Sequence, residues 1–84
     1  MEYDVYLHRE AFDFLRQLRR DDRELLLGLL GRLGQDPFQQ GDFTMLDLSG
    51  RRLEGVIVRR YAVLFWVDHA TKEIKVTDIR FADR

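Results

Sequence analysis

The segment RRYAVLFWVDHATKEIKVTDIRFADR, residues 59–84, reads as two strands joined by a short polar turn and followed by an arginine-bearing C-terminus. Tyr61 to Asp68 is apolar on both alternating faces, with Tyr61, Val63, Phe65 and Val67 on one and Ala62, Leu64 and Trp66 on the other. A strand of this kind has to be covered on both sides. Two helices cover one side of a small sheet well. The second apolar face therefore predicts a partner, and the arginines around it predict an anionic one. The turn Asp68 to Lys72 leads into a last strand, Glu73 to Arg80.

Working outward, Tyr3 to Leu7 alternates and predicts a first strand. From Arg9 the spacing of Ala11, Phe12, Phe14, Leu15 and Leu18 becomes helical. Asp21 with Glu24 forms a capping-box pattern for a second helix, which carries Leu25, Leu26, Leu27, Leu29, Leu30 and Leu33. Gly34 as a left-handed cap and then Pro37 are expected to stop it. Gly28 and Gly31 inside it suggest close approach of a neighbouring element, or are simply tolerated. Asp36 to Asp42 reads as a loop. Phe43, Met45 and Leu48 predict a short strand, Ser49-Gly50 a turn, and Leu53 to Val58 another strand. Arg59-Arg60 then makes a tight reversal without the Gly or Asn that such hairpins prefer. The expected class is α+β: β-α-α-β-β-β-β in one domain, residues 1–84, with the two helices on one face of a mostly antiparallel sheet.

Composition sets limits on function. A chain of 84 residues with 45% hydrophobic and 35% charged residues is that of one globular domain. No apolar run approaches the ~20 residues of a membrane span, and the N-terminus lacks a signal-peptide pattern. Cysteine is absent, so disulfides and thiolate metal sites are excluded, in keeping with a cytoplasmic protein. His8 and His69 have no spaced partner, so neither a metal nor a cofactor is expected. Residues 1–50 hold six Lys/Arg against ten Asp/Glu, whereas residues 51–84 hold eight against five. The basic surplus thus falls on the predicted sheet and tail. Arg59, Arg60, Arg80 and Arg84 are candidate phosphate or carboxylate ligands, or a solvated rim pairing with Asp78 and Asp83. Arg51 and Arg52 are expected to face solvent. Trp66 is either core or a platform on the open face, on the opposite side from Tyr61 and Phe65.

The order of elements resembles the RelE/ParE toxin superfamily of type II toxin–antitoxin operons. The resemblance spans YDVYLHREAFDFLRQL, the Leu-rich helix ending in Asp36-Pro37, and best of all RYAVLFWVD and IKVTDIRFADR. It implies a toxin neutralised by a cognate antitoxin and acting on the ribosome and mRNA, or on DNA gyrase, with Arg59, Arg60, Tyr61, Trp66, Arg80 and Arg84 as target- or antitoxin-binding residues. If the chain is an enzyme, the resemblance implies a ribosome-dependent mRNA endonuclease. Those nucleases carry sheet cations and a C-terminal Tyr. Here Ala62 stands where the Arg is expected, the preceding strand reads EGVIV without lysine, Ala82 aligns with the tail Arg although a shift of two residues brings Arg80 or Arg84 there, and no Tyr follows Arg84. The alternative is a non-toxic, solitary interaction module on the same fold. Association of copies through the open sheet face is a further expectation.

Overall fold

The computed structural model describes residues 2–83. In chain order its elements are β1 (Asp4–Leu7), α1 (Arg9–Arg16), α2 (Arg20–Gln35), β2 (Phe43–Leu46), β3 (Arg52–Val58), β4 (Tyr61–Asp68) and β5 (Glu73–Phe81). The strands form one sheet in the order β1-β5-β4-β3-β2. Every pairing is antiparallel except β1 with β5, which α1 and α2 separate from the rest of the sheet in sequence. The expected α+β class is thus the observed one.

Both helices cover one sheet face. Ala11 and Leu15 of α1 and Leu26, Leu29, Leu30 and Leu33 of α2 close over Val56, Tyr61, Val63, Phe65, Ile74, Val76 and Ile79. Burying one such aliphatic or aromatic side chain stabilises by about 1.5–3 kcal/mol, so this layer dominates folding. Ile74, Val76 and Ile79 break the two-residue alternation, yet all three enter the core. A bulge reconciles them: Leu64 pairs with Asp78 and Phe65 with Val76, leaving Thr77 as the extra residue on β5.

Several helix boundaries differ from expectation. α2 starts at Arg20 with Arg19 as its N-cap and no side-chain cap. Asp21 and Asp22 lie in its first turn instead, where carboxylates favour the helix dipole. α1 ends at Arg16, and the Arg23 guanidinium of α2 donates to the carbonyls of Arg16 and Leu18 beyond it. Phe12 is exposed rather than part of the buried stripe, and Leu48 lies in the turn after β2, fully exposed.

Gly34 is not a left-handed cap; it lies inside α2 and is buried. A Cβ there would stand 2.9 Å from the Tyr3 carbonyl oxygen, so this glycine lets β1 approach the helix. Gly28 and Gly31 serve no such purpose: a Cβ at Gly31 meets nothing within 4 Å. Gly31→Ala should therefore raise stability by about 0.5–1 kcal/mol through helix propensity, and Gly34→Ala should lower it. Urea denaturation of the two variants checks the contrast, and a stabilising Gly34→Ala would contradict the packing described.

Candidate functional site

The β3–β4 hairpin closes with only Arg59 and Arg60 between the paired Val58 and Tyr61. Arg59 adopts φ 53°, the left-handed region that costs a residue with a Cβ. The tip is fastened to the first turn of α2. Tyr61 donates its hydroxyl hydrogen to Asp22 at 2.5 Å, and the Arg60 and Arg59 guanidiniums lie 3.4 and 3.9 Å from the same carboxylate. Arg60 also sits over the Tyr61 and Phe81 rings, 5.5 and 5.9 Å from their centroids, and its carbonyl accepts the Ala82 amide.

The Tyr61 hydroxyl, with help from Arg60 and Arg59, holds the Asp22 carboxyl below its ordinary value. A carboxylate whose pKa falls on folding stabilises the native state above its unfolded pKa of about 3.9, and that stabilisation is lost as pH drops through the folded value. Asp22→Asn should therefore lower the melting temperature at pH 7 and flatten its fall between pH 5 and 2. Parallel acid limbs in melting curves of the two proteins would contradict this.

Tyr61 cannot meet a partner directly. It is 1% exposed, its ring packs edge-on against Phe14, and its hydroxyl is held by Asp22. Its face is the one the helices cover, because the row Val58–Tyr61–Phe81 runs beneath α1 and α2. It positions the hairpin and does not line a binding surface.

Ala62, Leu64 and Trp66 lie on the other, helix-free face. The middle of that face is not the broad apolar opening expected from sequence, because Ala62 and Leu64 are buried. Phe43 lies across Gly55, where a Cβ would stand 2.2 Å from the ring, and Gly55 is paired with Leu64. What remains is a shallow pocket of about 180 Å³ lined by Phe43, Met45, Ile57, Ala62, Leu64, Arg80, Phe81 and Ala82. The structure thus brings Ile57 of the EGVIV strand, Ala62 and Ala82 to one place, lined mainly by apolar side chains. Arg80 is its one cation, and Asp78 binds it through Nε at 2.7 Å.

Arg59 and Arg60 turn toward α2, while Arg80 faces the open side across from Ala62, so the three do not converge on one point. Arg84 lies outside the described residues. Trp66 is four residues along β4 from Ala62, about 13 Å at strand rise. It is half-buried, with the Arg51 guanidinium 3.8 Å from its ring centroid. Arg51 is exposed, as expected from sequence, but its stack on Trp66 is shown only by the register of β3 on β4. Asp22 was missed for the same reason: nothing local links it to Tyr61. His69 stacks on Phe38 and shares a 3.0 Å hydrogen bond with the Tyr3 hydroxyl, and among the described residues no group of three metal-ligating side chains comes together.

No protein-family model and no curated sequence matches the chain. Solved structures do. A chain of the archaeal RelE–RelB complex from Pyrococcus horikoshii OT3 superposes with a TM-score of 0.81 at 20% identity, covering 100% of this chain and 99% of that one. The RelBE2 toxin–antitoxin complex of Mycobacterium tuberculosis gives 0.80 at 15%, covering 96% and 99%. The isolated RelE toxin of E. coli gives 0.77 at 20%, covering 98% and 86%. From end to end, this chain has the RelE-like fold.

Proposed function

We propose that this chain is the toxin of a toxin–antitoxin pair, neutralised by a cognate antitoxin. The observation that carries the reading is the match of nearly the whole chain to chains solved in RelE–RelB and RelBE complexes. The antitoxin covers the open face around Arg80, with a carboxylate taking over from Asp78, and engages Arg59, Arg60 and the described part of the tail. The target is the translating ribosome with its mRNA, or gyrase, both met in the cytoplasm. No helix among the described residues is long and apolar enough to cross a membrane. The apolar pocket around Ala62 favours action by binding over phosphodiester cleavage. It also supports a second reading, a non-toxic interaction module on this fold.

Induced expression in a bacterial host, with and without the adjacent gene, tests the proposal. Growth arrest relieved by the neighbour is expected, and so is a complex of the two proteins. Arg80→Ala should leave the melting temperature nearly unchanged, since an exposed ion pair contributes about 0–1 kcal/mol. It should weaken the complex by about 30-fold or more, as truncation of an interfacial charge pair does. A complex without growth arrest selects the second reading, and neither complex nor arrest contradicts both.

A further inference from the structure

The Arg59-Arg60 tip lies off the open face, where the β3–β4 hairpin meets the first turn of α2. Its cations already hold one anion, the Asp22 carboxylate, and that internal occupant shows which ligand chemistry the tip accepts. The contacts are long and single. Arg60 reaches one carboxylate oxygen at 3.4 Å and Arg59 the other at 3.9 Å, neither in the paired geometry that makes such contacts strong. The two arginine side chains are 68% and 66% exposed, against 17% for Asp22. Asp22 does not depend on them. Tyr61 donates its hydroxyl hydrogen to the same carboxylate and does most to hold its carboxyl low, the guanidiniums contributing less. The unpaired amides of the first helical turn favour an anion there as well. Arg60 is likewise supported apart from Asp22, because its guanidinium rests over the Tyr61 and Phe81 rings. Parting the arginines from Asp22 therefore strands neither charge.

We propose that Asp22 stands in for a partner: an acidic protein segment docking on the tip takes Arg59 and Arg60 from Asp22, which stays on Tyr61. An aspartate or glutamate of that segment completes the bidentate contact that Asp22, fixed on its helix, does not make. A lone carboxylate suits the place better than a nucleic-acid backbone, because Asp21 and Asp22 share the turn and repel closely spaced phosphates. In the free chain Asp22 thus competes with the partner and lowers its affinity. An exposed ion pair corresponds to a factor of up to about five. The inference takes from the toxin reading only the identity of the partner.

The full chain is titrated by calorimetry with the product of the adjacent gene and, at low salt, with hexa-glutamate and hexa-uridylate RNA. Asp22→Asn keeps an acceptor for the Tyr61 hydroxyl and removes the charge. It should tighten binding of the neighbour and of hexa-glutamate about three-fold. The gain should vanish when Arg59→Gln and Arg60→Gln are both present. Glu24→Gln removes a charge from the same helix, but one paired with Arg20, and should change binding little. Tyr61→Phe loosens the tip and leaves the carboxylate charged, so it should not tighten binding. Circular dichroism establishes that each variant is folded. The proposal is overturned if Asp22→Asn binds no more tightly than the parent, or if the gain survives loss of both arginines. It is equally overturned if Glu24→Gln or Tyr61→Phe tightens binding as much, or if the RNA hexamer gains more from Asp22→Asn than hexa-glutamate does. Should the neighbour not bind at all, the toxin reading fails, and hexa-glutamate still decides the exchange.

Discussion

Tyr61→Ala should destabilise the protein by about 3–5 kcal/mol, the cost of deleting a fully buried aromatic ring. Domains of this kind have about 5–15 kcal/mol in total, so the variant sits near the limit of folding. Three contacts are lost at once. The ring leaves Phe14 and Phe81, at centroid distances of 6.0 and 5.6 Å, and the hydroxyl leaves Asp22. The hairpin tip then loses its link to α2 apart from the exposed arginines. Tyr61→Phe keeps the ring and removes only the hydroxyl, so it should cost less, and it should flatten the loss of stability in acid because the Asp22 carboxyl returns toward its ordinary value. Equilibrium urea unfolding of both variants measures the difference. A loss below about 1 kcal/mol for Tyr61→Ala would show that Tyr61 is a surface residue after all.

That residue also shows where sequence reading stops. The order of elements was legible because the apolar spacing changes from two to three or four at Arg9 and back after Asp42. β4 was legible as a strand, but its two alternating sets are equally apolar, so nothing within it says which one meets the helices. The neighbours break the tie: Val56 on β3 and Ile74, Val76 and Ile79 on β5 are in register with Val63, Phe65 and Val67, and the bulge at Thr77 makes that register possible. Once the face is assigned, Tyr61 becomes core and Trp66 becomes accessible. The contacts that build the sites were not legible, because Asp22 with Tyr61 and Arg51 with Trp66 join residues far apart in sequence. Gly34 had the right residue type for a helix end and a different reason for it, the approach of Tyr3.

The second large effect concerns RNA cleavage. Activating a ribose hydroxyl contributes about 10²–10⁴-fold, and a preorganised group that stabilises developing negative charge about 10²–10³-fold. In this chain the positions where the resemblance expects such groups include Ile57, Ala62 and Ala82, and the pocket's one cation, Arg80, which a two-residue shift of the tail would put in the expected place, is held by Asp78. Cleavage should accordingly run about four orders of magnitude or more below that of an active ribonuclease of this fold. The fold is RelE-like, and the strip where the resemblance expects cleavage groups is lined mainly by apolar side chains, with Arg80 its one cation. Primer extension on mRNA from translating ribosomes, with the purified chain added, tests this most directly. No codon-dependent stop in the A site above background is the result expected. A-site cleavage at a rate comparable to an active RelE toxin would contradict it, and would mean that Arg59, Arg60 or Arg80 supplies the missing charge.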